Sequence, residues 1–166
     1  FWVDRFVENS WRIQQNIHTK HHRLLKPRDI RKAWGSYEST RDSYKKLREY
    51  RLMQNLHRHV VILVNGMFHS RHFMDAIHEV FHNTGVQPIG IEYPSTQRSI
   101  EDQARPLNIV LKRLPDVETI SFVTHSLGGT CASRRPMSTP DWLQTHTPGR
   151  IVMIAPPPIK DLWLFN

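Results

Sequence analysis

Val60-Val61-Ile62-Leu63-Val64 is an unbroken apolar, β-branched run, the pattern of a strand buried on both faces. After it, Ser70 can cap a helix whose Phe73, Met74, Ile77, Val80 and Phe81 share one side, with Gly85 placed to end it. Val86 to Tyr93 reads as a second strand. Ser99 opens a further helix with Ile100, Ala104, Leu107, Leu111 and Leu114 inward, Pro106 kinking it and Pro115 stopping it. Ile120, Phe122 and Val123 mark a third strand, a helix follows from about Leu127 to Arg134, and Arg150 to Ala155 makes a last strand. Alternation of strand and helix predicts an α/β fold, a parallel sheet of about four strands with helices on both faces.

Upstream the texture differs. Trp2, Val3, Phe6, Val7, Ile13 and Ile17 recur at roughly helical intervals, predicting a helix that packs on the domain or lies at a lipid interface. Tyr44, Leu47, Tyr50, Met53 and Leu56 predict a second helix over about 40–56. The chain therefore divides into a basic, mostly helical segment, 1–57, and an α/β domain, 58–166. Charge supports that division. Of the 166 residues, the first 58 hold 14 Lys and Arg against 6 Asp and Glu, whereas the remainder hold 9 of each. The neutral second part argues against nucleic acid as the partner of its functional face. A single cysteine, Cys131, excludes an intrachain disulfide. Adjacent His21 and His22 would point apart on a helix and lack a carboxylate or thiol at ligand spacing, so neither metal nor cofactor is expected.

The chemistry-bearing stretch is Phe122-Val-Thr-His-Ser-Leu-Gly-Gly129. A strand that stops at x-Ser-x-Gly and resumes as a helix is a nucleophile elbow. The tight turn puts the serine in a strained conformation, lifts its hydroxyl clear of the sheet and leaves the next N–H, that of Leu127, facing the same space. If the Val60 and Thr119 strands are neighbours, the Asn65-Gly66-Met67 loop lies beside Ser126.

With Val-Ile-Leu-Val-Asn-Gly-Met, Glu92-Tyr-Pro-Ser-Thr96 and Arg150-Ile-Val-Met-Ile-Ala-Pro-Pro157, the chain resembles the α/β-hydrolase superfamily in its bacterial lipase and esterase branch, over about residues 58–156. The resemblance implies a serine hydrolase that cleaves carboxylic esters through an acyl-Ser126 intermediate, with the backbone N–H groups of Met67 and Leu127 as oxyanion hole. Asn65 stands where that family usually has His, and Thr124 where it has Gly. The family takes its acid and base from later loops, in the order Ser, Asp or Glu, His. No histidine follows the last predicted strand, which leaves Asp141 as acid and His146 as base, with His69 at the rim and His125 pointing away.

The resemblance thus implies a truncated α/β-hydrolase-like core, expected to be a fragment or an abnormally ended form. The substrate would be a small-molecule or lipid ester, and no nucleic-acid partner is expected. The alternative is a non-catalytic domain of the same fold that binds a partner or a membrane surface through its basic segment. A sheet ending at the Arg150 strand leaves an unpaired edge, so an oligomer or an aggregation-prone chain is expected.

Overall fold

The computed structural model describes residues 1–8, 10–50, 57–66, 69–81, 84–93, 100–129 and 141–156. Its first surprise is the N-terminal segment. Residues expected to form a helix instead make a four-stranded antiparallel meander: β1 (Trp2–Glu8), β2 (Trp11–Asn16), β3 (His22–Lys26) and β4 (Ile30–Gly35), in that order. The helical spacing of Val3, Phe6 and Val7 comes from a β-bulge. Asp4 pairs with Gln14 and Phe6 with Ile13, so Arg5 is an extra residue that shifts the two-residue period. The turns also gave no glycine signal, because Ser10, Lys20, Arg28 and Asp29 hold the left-handed conformation themselves, with φ from 56° to 66°.

One cross-strand row, Phe6, Ile13, Leu24 and Ala33, faces α1 (Tyr37–Tyr50). The Ser36 hydroxyl caps this helix by accepting from the Ser39 N–H at 3.1 Å. Tyr44, fully buried, packs edge-on against Phe6 and Trp11 at 5.1 and 6.0 Å. Only the second of the two expected helices therefore forms here, and its predicted extension to Leu56 lies outside the described residues.

The second half follows its pattern. β5 (His59–Val64), β6 (Gln87–Gly90), β7 (Thr119–His125) and β8 (Thr147–Ile154) form an all-parallel sheet in the order β6-β5-β7-β8. Side chains alternate between its faces. Val60, Ile62, Val64, Ile120 and Phe122 meet Leu107, Val110 and Leu111 of α2 (Ile100–Lys112), which contains Pro106. On the opposite face Val61, Leu63 and Val123 meet Met74, Ile77 and Phe81. Met74 ends a 3-10 turn, Arg71–Met74, Ile77 lies on the short helix that continues it, Asp75–Val80, and Phe81 caps that helix. Each fully buried aliphatic side chain contributes on the order of 1.5–3 kcal/mol, so burial on both faces is what holds β5 at the centre. Phe73 and Val80, expected on the inner side, are exposed. β6 is shorter than predicted. β8 begins at Thr147, three residues earlier than expected, and exposes Val152 and Ile154.

The two sheets meet through β1. Val7 of β1 joins the cluster around Val60 and Ile62. Asp4, fully buried, donates its backbone N–H to Glu92 O at 3.0 Å, while its carboxylate accepts from the Glu92 N–H at 2.8 Å. Arg12 and Gln14 complete its shell at 2.7 and 3.0 Å. A buried carboxylate persists because every side of it is hydrogen-bonded.

Candidate active site

In an open parallel sheet, ligands sit beyond the carboxyl ends of the strands where the winding reverses. Here the chain runs from β5 outward to β6, then crosses to β7 and β8 on the other side, so the reversal lies between β5 and β7. The residues at that point are Asn65-Gly66 after β5 and Ser126 after β7.

Ser126 is partly buried and has φ +49°, in the left-handed region that a residue with a Cβ enters at a cost of about 1–3 kcal/mol. It separates β7 from a helical turn at Leu127–Gly129. Two glycines make the turn feasible. A Cβ at Gly128 would stand 2.6 Å from the carbonyl oxygens of both Val64 and Asn65, closer than a carbon can approach. A Cβ at Gly66 would stand 3.1 Å from Ser126 Cβ and 3.0 Å from His125 Nδ1. The turn after β7 and the loop after β5 are thus interlocked, and Ser126 lies against Gly66. Met67 follows Gly66 but lies outside the described residues, as does the predicted helix beyond Gly129. Leu127 opens a helical turn, and first-turn N–H groups have no intrahelical acceptor.

Asn65 holds the neighbouring loop in shape. Its side-chain amide donates to Gly66 O at 3.1 Å and to His69 O, while the Tyr93 hydroxyl donates to the Asn65 carbonyl. The His125 ring is tilted against the Phe73 ring at 4.8 Å and meets the His69 ring edge-on at 5.9 Å. Asn65 Oδ1, Thr124 Oγ1 and His125 Nδ1 are buried without a hydrogen-bond partner among the described residues. Such atoms are uncommon in a folded interior, and three of them surround the turn.

The structure places His146 at the opposite end of the sheet from Ser126, which corrects its assignment as base and, with it, that of Asp141 as the acid that would orient it. His146 directly precedes β8, and its neighbour Thr147 pairs with Thr119 at the start of β7. In a parallel sheet a residue before a strand lies at the amino end, whereas Ser126 follows β7 at the carboxyl end. Seven residues of strand, at ~3.3 Å each, put roughly 23 Å between them. His146 is buried, with Nδ1 2.8 Å from Thr145 Oγ1, and desolvation holds its pKa below the ordinary histidine value. Asp141 opens the 3-10 turn Asp141–Gln144, whose Trp142 packs 5.7 Å from Phe122.

Two polar sites escaped the sequence reading. At the amino end His59 Nε2 lies 2.9 Å from Ser121 Oγ, which also accepts the Arg150 N–H at 3.0 Å. Ser121 is 7 % exposed and stands at a register shift between β7 and β8, where its hydroxyl replaces a missing ladder bond. Glu92 follows β6; burial holds its carboxyl above the usual carboxylate range, although it accepts the Arg71 N–H at 3.2 Å. Near it a cleft of about 330 Å³ runs between the sheets, lined by Arg12, Arg28, Asp29, Arg71 and His72 among others, but not by Ser126. Its charges pair with one another, Arg71 to Asp29 at 2.6 Å and His72 to Asp75 at 3.0 Å. No spacing rule would have found either site, since both join residues distant in sequence.

Comparison of the chain with protein-family models, with curated proteins and with solved structures returned no match.

Proposed function

We propose that the protein is a serine hydrolase of lipase or esterase type, with Ser126 as nucleophile. The observation that carries this reading is the left-handed φ of a partly exposed serine at the winding reversal of a parallel sheet. Strain of this kind in a non-glycine residue persists only where the surroundings over-determine it, and here Gly66 and Gly128 do so.

In the proposed reaction the Ser126 Oγ attacks an ester carbonyl and forms a C–O bond, its proton passing to a general base. The Leu127 and Met67 N–H groups would stabilise the resulting oxyanion; loss of one such donor typically costs about 3 kcal/mol. Collapse breaks the bond to the alcohol, which leaves with the proton, and water then releases the acid from acyl-Ser126. His146 cannot be the base at its position. Among the described histidines, His69 and His125 flank the turn.

A p-nitrophenyl ester tests the reading on the full-length protein: a burst of one equivalent of nitrophenolate is expected, abolished by Ser126→Ala. Turnover unchanged by that substitution would refute it. The runner-up, a non-catalytic binding domain of the same fold, draws support from the lack of a base hydrogen-bonded to Ser126 among the described residues. It predicts no burst in either protein.

A further inference from the structure

The N-terminal meander carries, along its outer edge, a cation and aromatic surface that the ester chemistry does not use. Residues 18–35 contain Lys20, Arg23, Lys26, Arg28, Arg31 and Lys32 against one carboxylate, Asp29. That carboxylate is taken from outside the meander by Arg71 at 2.6 Å, with His72 at 3.5 Å. The β3–β4 hairpin therefore presents uncompensated positive charge while its tip is pinned to the 3-10 turn Arg71–Met74. β4 is an edge strand, exposed along most of its length. On it, Trp34 and Ile30 expose 49 % and 47 % of their surface beside Arg31 and Lys32.

We infer that this edge docks the protein on the surface of an anionic phospholipid bilayer. Cations flanking an exposed tryptophan and an aliphatic residue suit the headgroup boundary, where an amphipathic ring is favoured and each cation gains from the negative surface potential. Single-stranded nucleic acid fits less well. The Trp34 ring is already stacked by His21 at 5.4 Å, covered by the Arg31 guanidinium at 5.5 Å and met edge-on by Trp2 at 5.6 Å, so a base has no open platform. Addition of a peptide strand is discouraged by the charged side chains along β4. The pinning turn has a second flank: its Phe73 is 47 % exposed and its ring lies tilted 4.8 Å from that of His125, the residue before Ser126. Docking would thus bring the turn that carries Ser126 within one short helix of the bilayer.

The test is co-sedimentation of the full chain with vesicles of phosphatidylcholine containing 30 % phosphatidylglycerol, against pure phosphatidylcholine. Binding is expected only to the anionic vesicles and should weaken at least tenfold between 50 and 500 mM salt. Arg31→Glu with Lys32→Glu should lower it at least tenfold, and Trp34→Ala severalfold. Lys45→Glu with Lys46→Glu, on α1, changes the net charge equally and should have a much smaller effect. Equal losses in the two double variants, no binding to the anionic vesicles, or tighter binding to oligo(dT) would each overturn the proposal. All these positions are exposed, and unchanged melting confirms folding; should Arg31→Glu with Lys32→Glu melt early, the paired Gln substitutions replace it. Ser126→Ala is expected to bind vesicles as the wild type does, so docking and hydrolysis stand or fall separately.

Discussion

Strand β7 and the turn that ends it carry two serines five residues apart, and the sheet treats them in opposite ways. Ser121 has a histidine at 2.9 Å, a buried position and a ladder N–H on its oxygen. Ser126 has a strained backbone, partial exposure and glycine-tight surroundings, but no imidazole hydrogen-bonded to it among the described residues. Distance to a histidine alone would select Ser121, whereas the proposed function selects Ser126. A nucleophile needs an open face for the carbonyl carbon and donors for the developing oxyanion, and only the carboxyl end of a parallel sheet supplies both. The amino end offers closed hydrogen bonding, which makes Ser121 a structural residue.

Substitutions separate the two positions. Ser126→Ala should lower ester turnover by at least ~1000-fold with little change in melting, whereas Ser121→Ala should leave turnover intact. Gly128→Ala drives a carbon into the Val64 and Asn65 carbonyls and should cost about 2–3 kcal/mol in denaturant unfolding, because backbone cannot move aside. Ser121→Ala removes the acceptor of the partly buried Arg150 N–H and the partner of His59 and should cost about 1 kcal/mol. Ser126→Gly should do the reverse of Ser121→Ala: activity is lost while stability rises by about 1 kcal/mol as the left-handed strain is relieved. A Ser126→Gly protein that melts below the wild type would contradict the strain.

The smallest expected effect concerns pH. The folded state lowers the His146 pKa, so between the ordinary value of ~6.5 and that lowered value the unfolded chain binds more protons. Its contribution to stability is therefore present above ~6.5 and is lost as the pH falls through the lowered folded value. His146→Gln should flatten the acid side of the melting profile and leave ester turnover alone. A loss of turnover would reinstate it in the chemistry.

The parallel sheet was readable because burial on both faces leaves runs such as Val60–Val64 that only a central strand explains. Ser126 was readable because the elbow is local, set by Leu127, Gly128 and Gly129 beside it. The meander was not. The bulge at Arg5 turned the alternation of β1 into helical spacing, and four left-handed turn residues, none of them glycine, concealed its hairpins. The misassignment of His146 had a different origin. β8 was placed three residues late, so His146 read as part of a free loop, whereas a residue abutting a parallel strand's start belongs to the far end of the sheet. The pairing of Ser121 with His59 and Arg150, and of Asp4 with Glu92, joins distant residues through the fold itself.

The claim on which the rest turns is that the hydroxyl of Ser126 stands open to an electrophile at the winding reversal. A fluorophosphonate probe applied to the full-length protein, followed by peptide mapping, tests it directly. One adduct on Ser126, absent from Ser126→Ala and with Ser121 unmodified, is the predicted result; an unlabelled protein, or an adduct on another serine, would contradict it.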